Sequence, residues 1–150
     1  MIAVDTTILV YAHRRESPLH AGALQAMDRL AASGRPWGTV WQCVHEFVAV
    51  VTHPKIYKPA STLDQCLQEV ENWRACPTFR FIAEGPTHWD TLKRQLRQGQ
   101  VQGPLVHNAR IAAVCVARGV SELWSVDRDF SRFPELNVVN PLRFEMRREL

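Results

Sequence analysis

The sequence has no apolar run that could cross a membrane. Its longest apolar runs, at 47–51 and 111–117, are far shorter than the roughly 20 residues that a transmembrane helix needs. The first residues, Met-Ile-Ala-Val-Asp, also lack the basic segment and apolar stretch of a secretory signal. We therefore expect a cytoplasmic protein that does not associate with a membrane.

Cysteine is sparse and scattered. The four cysteines stand at 43, 66, 76 and 115, with no Cys-x-x-Cys pair and no clustering with histidine. This spacing argues against a zinc site and against a dithiol redox motif. We expect four reduced thiols, packed as small apolar side chains.

Lysine is scarce among the basic residues. Only three of the 18 basic residues are lysine, and the remainder are arginine. The planar guanidinium of arginine suits phosphate groups and the faces of bases. A net charge of +3 is compatible with a nucleic-acid partner. A GC-rich genome would produce the same arginine bias, so composition alone leaves both explanations open.

The 150 residues, 46% of them apolar, are enough for one domain, spanning 1–150, with a substantial core. Helical periodicity predicts helices over about 8–12, 18–32, 41–52, 62–75, 86–101 and 105–118. Short apolar runs predict strands at 2–4, 37–40, 79–82, 122–126 and 138–139, before a charged tail at 143–150. Alternating strands and helices indicate an α/β fold with a central parallel sheet.

Acidic residues directly follow two of these strands. Asp5 comes after the first strand, and Asp127 comes after the strand at 122–126, with Asp129 two residues later. Because the carboxyl ends of parallel strands share one edge, we expect these acids to meet there. Two structural interpretations stay open, namely that Asp5 caps the following helix and that Asp127 forms turn hydrogen bonds.

Glu46 adds a fourth acid, in the middle of the helix predicted at 41–52. It stands beside the apolar residues Val44, Phe47 and Val48, where an unpaired carboxylate is costly to bury. Its carboxylate either reaches solvent or joins the other acids around a cation. Converging carboxylates would favour Mg²⁺, which activates water and neutralises charge in phosphodiester hydrolysis.

Four segments in this order resemble one family. They are Ile-Ala-Val-Asp5-Thr-Thr-Ile-Leu-Val, Trp41-Gln-Cys-Val-His-Glu46-Phe, Val106-His-Asn108-Ala-Arg-Ile-Ala-Ala and Leu123-Trp-Ser-Val-Asp127-Arg-Asp129-Phe. The chain, from residue 2 to about 142, is similar to PIN domains, and more narrowly to VapC-type toxins of toxin–antitoxin pairs. The resemblance implies a three-layer α/β/α sandwich and an endoribonuclease that depends on Mg²⁺ or Mn²⁺. It also implies a homodimer, an RNA substrate and a VapB-like antitoxin as partner.

The resemblance assigns roles residue by residue. It implies a catalytic role for Asp5, Glu46, Asn108 and Asp127. It implies metal ligation by Asp5, Asn108, Asp127 and Asp129, with supporting hydroxyls at Thr7 and Ser125.

Asn108 departs from the pattern, because the family usually has Asp at this place. Asn keeps the shape of Asp and offers one carbonyl oxygen, but it lacks the charge that a divalent cation favours. Without the family, Asn108 would be taken as a helix N-cap. With the family, it is either a deliberate inactivating change or the mark of a naturally weakened member. We favour the former, because the other acids of the pattern are intact.

Arginines beside the acidic segments are candidates for RNA binding. Arg110 and Arg128 could hold RNA phosphates at the mouth of the site, or they could pair with neighbouring acids such as Glu135. Trp41 is expected in the core, with base stacking as the less favoured interpretation. The alternative to a nuclease is a non-catalytic PIN-like module that binds RNA or protein.

Overall fold

The computed structural model describes residues 1–143, so the predicted charged tail beyond Arg143 lies outside the described residues. Within them, five strands are β1 (Ile2–Val4), β2 (Trp37–Val40), β3 (Phe79–Ile82), β4 (Glu122–Trp124) and β5 (Val138–Val139). Six α-helices are α1 (Thr6–His13), α2 (His20–Ala32), α3 (Trp41–Val51), α4 (Leu63–Ala75), α5 (His88–Gln98) and α6 (Val106–Ala117). Two short 3₁₀ turns lie at Gly103–Leu105 and Arg128–Arg132.

The strands form one parallel sheet in the order β3-β2-β1-β4-β5. Its central strand β1 pairs with β2 on one side and with β4 on the other. All carboxyl ends of the strands therefore point to one edge, which we call the rim. The predicted α/β class with a central parallel sheet is confirmed.

Two apolar clusters, one on each face of the sheet, give the three layers. One cluster joins β1 and β2 to α1–α4 and includes Trp37, Phe47 and Trp73. The other packs α6 against the sheet and includes Ile111, Leu123 and Phe130. Helix α6 is apolar because it is covered on most sides, as its continuous run of buried residues from Ile111 to Cys115 shows.

Several predicted boundaries were wrong by a few residues. Helix α2 begins at His20 rather than 18, because Ser17 and its two successors form a turn in which the Ser17 hydroxyl accepts from the Leu19 backbone. Helix α5 begins at His88 rather than 86. Strand β4 ends at Trp124, two residues earlier than predicted, since its partner β5 is only two residues long.

Gly38 in β2 allows a close approach between neighbouring strands. A Cβ atom at this position would lie 2.0 Å from the carbonyl oxygen of Arg80 in β3. We expect Gly38→Ala to lower the free energy of unfolding by about 3 kcal/mol or more, at the upper end for overpacked sites. Chemical denaturation measures this. Gly34→Ala is the matched control, since Gly34 has open space and only its positive φ of 75° opposes a side chain, a cost of about 1–2 kcal/mol. Equal effects of the two substitutions would contradict the close approach.

Two expectations from composition can be compared with the described residues. No helix of residues 1–143 is long and apolar enough to cross a membrane. All four cysteines are free thiols, and Cys43, Cys66 and Cys115 are buried, as expected for packed thiols.

Candidate functional site

The rim brings together the acids that follow β1 and β4. Strands β1 and β4 are direct neighbours, with Val4 paired to Trp124, so the next residues of both strands leave the sheet side by side. The Asp5 backbone N–H still donates to the Trp124 carbonyl at 2.9 Å. The predicted meeting of two separate acidic segments at one edge is what the structure shows.

Asp5 is the buried centre of this group, with only 4% of its surface exposed. Its Oδ2 atom accepts hydrogen bonds from Ser125 Oγ at 2.7 Å and from Thr7 Oγ1 at 3.1 Å. Asp5 precedes α1 in the N-cap position, but its side chain makes no capping hydrogen bond. The capping interpretation is therefore wrong, and the carboxylate is held by the two hydroxyls that the sequence singled out.

Burial raises the pKa of Asp5 above its ordinary value of 3.8. The hydrogen bonds from Ser125 and Thr7 oppose this rise in pKa, and the nearby charge of Asp127 adds to it. In the described part of the chain, no ion pair involves Asp5, Glu46, Asp127 or Asp129. Asp5 is thus a desolvated carboxylate near a second carboxylate, without a basic side chain to neutralise it.

Glu46 extends the site from α3. Its Oε2 atom accepts from Thr6 Oγ1 at 3.2 Å, and Thr6 is the direct neighbour of Asp5. Desolvation raises the pKa of Glu46, and the charges of Asp5 and Asp127 raise it further. Glu46 is an exposed residue, so its carboxylate reaches solvent, as one interpretation of the sequence held, while it also lies close to the other acids through Thr6.

Asn108 contacts Asp127 directly. It is the third residue of α6, so the N-cap interpretation is wrong, and its Nδ2 atom donates to Asp127 Oδ2 at 3.0 Å. The amide N–H group thus occupies Asp127 Oδ2, one of the two oxygens that this carboxylate could offer to a cation.

Asp127 also organises the turn after β4. Its Oδ1 atom accepts from the Asp129 backbone N–H at 2.9 Å, and its own N–H donates to Ser125 Oγ at 3.0 Å. The interpretation that Asp127 forms turn hydrogen bonds is therefore confirmed, and Asp127 also lies at the rim. Asp129 enters this network through its backbone, and within residues 1–143 its exposed carboxylate makes no hydrogen bond or ion pair.

The donor set of this site fits a hard divalent cation. Carboxylate oxygens and an amide oxygen are the ligands that Mg²⁺ and Mn²⁺ favour, and the desolvated Asp5 lacks a basic partner. In residues 1–143, however, no three His, Cys, Asp or Glu side chains are placed closely enough to hold a metal ion. This agrees with the position of Asn108, which is not an acid and which donates to one of the acids.

Ser125 joins the ends of β1 and β4, since its hydroxyl donates to Asp5 and accepts from the backbone of Asp127. We expect Ser125→Ala to lower the free energy of unfolding by about 1–3 kcal/mol, because it leaves buried polar groups unsatisfied. Ser121→Ala is the matched control, as its hydroxyl bonds only an exposed backbone carbonyl. A denaturant midpoint for Ser125→Ala equal to that of the control would contradict the bridging role.

The two arginines predicted to bind RNA behave differently. Arg110 pairs with Glu84, an acid that the sequence analysis did not single out, at 3.0 Å. Arg128 is exposed and has no ion pair within residues 1–143. Glu135 pairs with Arg94 instead of with either of them. Glu84 stands two residues after the end of β3. A search for acids just after strands, which identified Asp5 and Asp127, could also have identified Glu84.

Trp41 is not in the core, contrary to expectation. It retains 40% of its surface exposed, and its ring stacks on that of Phe81 with centroids 4.2 Å apart. Trp41 is the first residue of α3 and directly follows β2, so it too lies at the rim. The apolar character of Trp41 predicted burial. Strand β2 ends at Val40, however, and Trp41 lies beyond it at the exposed rim.

In fold, this chain is similar to the class that the sequence resembles, the PIN-domain VapC toxins. Ribonuclease VapC43 of Mycobacterium tuberculosis is 29% identical to this chain over 142 residues, which cover 95% of this chain and 96% of that protein. Ribonuclease VapC48 of the same organism is 27% identical over 137 residues, covering 91% of this chain and 94% of that protein. No family model matches the chain.

Solved structures have the same fold. VapBC2 from Rickettsia felis, bound to a promoter DNA fragment, aligns with a TM-score of 0.67 and 18% identity over 93% of this chain and 98% of that chain. VapC20 of M. tuberculosis, a toxin that cleaves the sarcin-ricin loop, aligns with a TM-score of 0.64 and 16% identity over 91% and 99% of the two chains. These structures support the fold, and the sequence similarity to VapC43 and VapC48 confirms the resemblance to VapC ribonucleases.

Proposed function

We propose that this chain is a VapC-type ribonuclease toxin whose activity depends on a divalent metal and is impaired by Asn108. The observation that carries the proposal is the meeting of Asp5, Glu46 and Asp127 at one rim without an ion pair, where burial and the neighbouring carboxylate charges raise the pKa of Asp5 and of Glu46. Similarity to named VapC ribonucleases over more than nine-tenths of the chain supports it.

Asp5, Asp127, Asp129 and the residue at 108 would hold the metal, and Glu46 would act beside them in catalysis. Mg²⁺ or Mn²⁺, when bound, would supply an activated water and neutralise charge that develops on the phosphate. Thr7 and Ser125 keep the Asp5 carboxylate fixed in orientation. Such supporting hydrogen bonds hold a ligand in place for a metal.

Asn108 impairs this site for two physical reasons. It removes one negative charge from the ligand set, and its Nδ2 atom donates to the Asp127 oxygen that would otherwise face the cation. The buried, hydrogen-bonded Asp5 remains in place. The site is thus preserved in shape while its affinity for a divalent cation is reduced.

The proposed partners are RNA as substrate, a VapB-like antitoxin and a second copy of this chain. Several solved neighbours are complexes of a toxin with its antitoxin, including VapBC2 of Rickettsia felis and VapBC of Salmonella typhimurium. The arginine-rich composition supports an RNA substrate, because guanidinium groups bind phosphate well.

The test uses the Asn108→Asp variant and total cellular RNA. We expect cleavage at discrete sites in Mg²⁺ or Mn²⁺ and none in EDTA. Cleavage that survives EDTA would contradict the metal-dependent mechanism. If the variant cleaves no RNA and binds metal no better than the original chain, the non-catalytic PIN-like binding module becomes the better description.

A further inference from the structure

We propose that Arg110 and Trp41 form a second nucleotide subsite on the β3 side of the acids, with Glu84 as the residue that positions Arg110. The subsite would bind the phosphate and the base next to the bond that is cut. This inference rests on the proposed ribonuclease function and adds to it the place where the RNA strand continues along the rim.

Three side chains lie within 3.5 Å of one carboxylate oxygen of Glu84. Its Oε1 atom accepts from Gln42 Nε2 at 2.7 Å and from Arg110 Nε at 3.0 Å, and His88 Nε2 lies 3.5 Å away. These partners come from α3, α6 and α5, so the carboxylate fixes three elements around one point. Arg110 is thereby held in one orientation at the rim.

Arg110 keeps its phosphate-binding end available. Only its Nε atom is engaged by Glu84, and within residues 1–143 its two Nη atoms have no hydrogen-bond partner. About half of its side-chain surface, 47%, is exposed. A guanidinium fixed through Nε presents its two remaining NH₂ groups outward, which is the geometry that binds a phosphate with paired hydrogen bonds.

Trp41 supplies an exposed aromatic surface at the same edge of the sheet as the Glu84–Arg110 pair. Phe81 covers one face of the indole, with an interplanar angle of 14°, and 40% of the residue remains exposed. Trp41 is the chain neighbour of Gln42, which contacts the same Glu84 oxygen as Arg110. Exposed aromatic rings and arginine side chains are the groups on which bases of single-stranded RNA stack.

The subsite lies about one helical turn from the acids. Gln42 and Glu46 are four residues apart in α3 and so occupy the same face, about 5–6 Å apart. Glu46 contacts Thr6 beside Asp5, whereas Gln42 contacts Glu84 beside Arg110. An RNA strand that crosses the acids would therefore reach Arg110 and Trp41 next.

The test measures binding of a fluorescent single-stranded RNA of mixed sequence to the full chain in Mg²⁺, over a range of salt concentrations, with RNA integrity checked on a gel. Arg110→Ala should weaken binding about tenfold, the loss of one charge-assisted hydrogen bond. It should also lower the salt slope by about 0.7, the value for one phosphate contact on a single strand. Arg110→Lys should keep that slope, because it keeps the charge.

Trp41→Ala should weaken binding about fivefold or more without changing the salt slope, since stacking involves no counterion release. Trp41→Phe should recover part of the affinity. Arg74→Ala is the matched control, because Arg74 also pairs with a glutamate but stands at the end of α4 that leads into the amino end of β3, away from the rim.

The outcomes separate this proposal from the proposed function. If the Asn108→Asp variant cleaves RNA but Arg110→Ala and Trp41→Ala bind RNA as Arg74→Ala does, the subsite is wrong and the ribonuclease stands. If the chain binds no RNA and the Asn108→Asp variant cleaves none, both proposals fail. The subsite would be supported if Arg110→Ala lowers the salt slope of RNA binding and Trp41→Ala weakens binding without changing that slope.

Discussion

Substituting Asn108→Asp is expected to raise the rate of metal-dependent RNA cleavage by about 100-fold or more. A bound metal supplies several kcal/mol of charge stabilisation in the transition state. Each 1.36 kcal/mol corresponds to a factor of ten in rate. The substitution restores a carboxylate oxygen where Asn108 now donates an N–H group to Asp127 at 3.0 Å. Initial rates on a defined RNA fragment, with and without EDTA, measure the effect.

Asn72→Asp is the matched control for this gain, because it makes the same change of charge on the exposed face of α4, where Asn72 pairs with Gln68. We expect no change in cleavage for the control. An equal gain in both variants would show that added negative charge acts without the site. No gain in Asn108→Asp would mean that Asn108 is not what limits the chain.

Substituting Asp5→Asn is expected to have opposite effects on activity and on stability. In the Asn108→Asp background it should lower cleavage about 100-fold or more, through loss of a metal ligand. In the original chain without metal it should raise the free energy of unfolding by about 1–3 kcal/mol, because it removes a desolvated charge without a basic partner. Denaturation in EDTA and a cleavage assay measure the two effects. If Asp5 served only the fold, Asp5→Asn would lower both the cleavage rate and the free energy of unfolding.

The stability effect of Asp5→Asn has a defined pH dependence. Burial raises the folded-state pKa of Asp5 above 3.8, so the folded protein binds this proton more tightly than the unfolded chain does. The charged carboxylate therefore opposes folding increasingly as pH rises from about 3.8 through the raised folded-state pKa. The advantage of Asp5→Asn should be full above that range and should vanish below it. An advantage that grows towards acid pH would contradict this account.

The parallel sheet and the meeting of Asp5 with Asp127 could be predicted from the sequence. A short apolar run that ends at an acid indicates a strand and the position of its carboxyl end. Because helical crossovers make the strands parallel, these carboxyl ends meet at one edge of the sheet. The resemblance pointed to Thr7 and Ser125, and the hydroxyls of both residues donate to the Asp5 carboxylate. These features depend on local pattern and on chain order, which the sequence contains.

Other features depend on contacts that no local pattern contains. The pairing of Arg110 with Glu84 joins α6 to the end of β3, and it needs Gln42 of a third element to complete it. Trp41 was expected in the core because tryptophan is usually well covered, but the end of β2 leaves it at the rim. The prediction that Asn108 is a helix N-cap was wrong because α6 starts two residues earlier, after a 3₁₀ turn.

The most direct test of the central claim is a calorimetric titration of Mn²⁺ into the Asn108→Asp variant and into the same variant carrying Asp5→Asn. We expect saturable binding to the first, weaker binding to the original chain, and no binding to the double variant. This order follows from a site built on Asp5 and Asp127 at the ends of β1 and β4. Equal binding by all three proteins would contradict a metal-dependent ribonuclease at this rim.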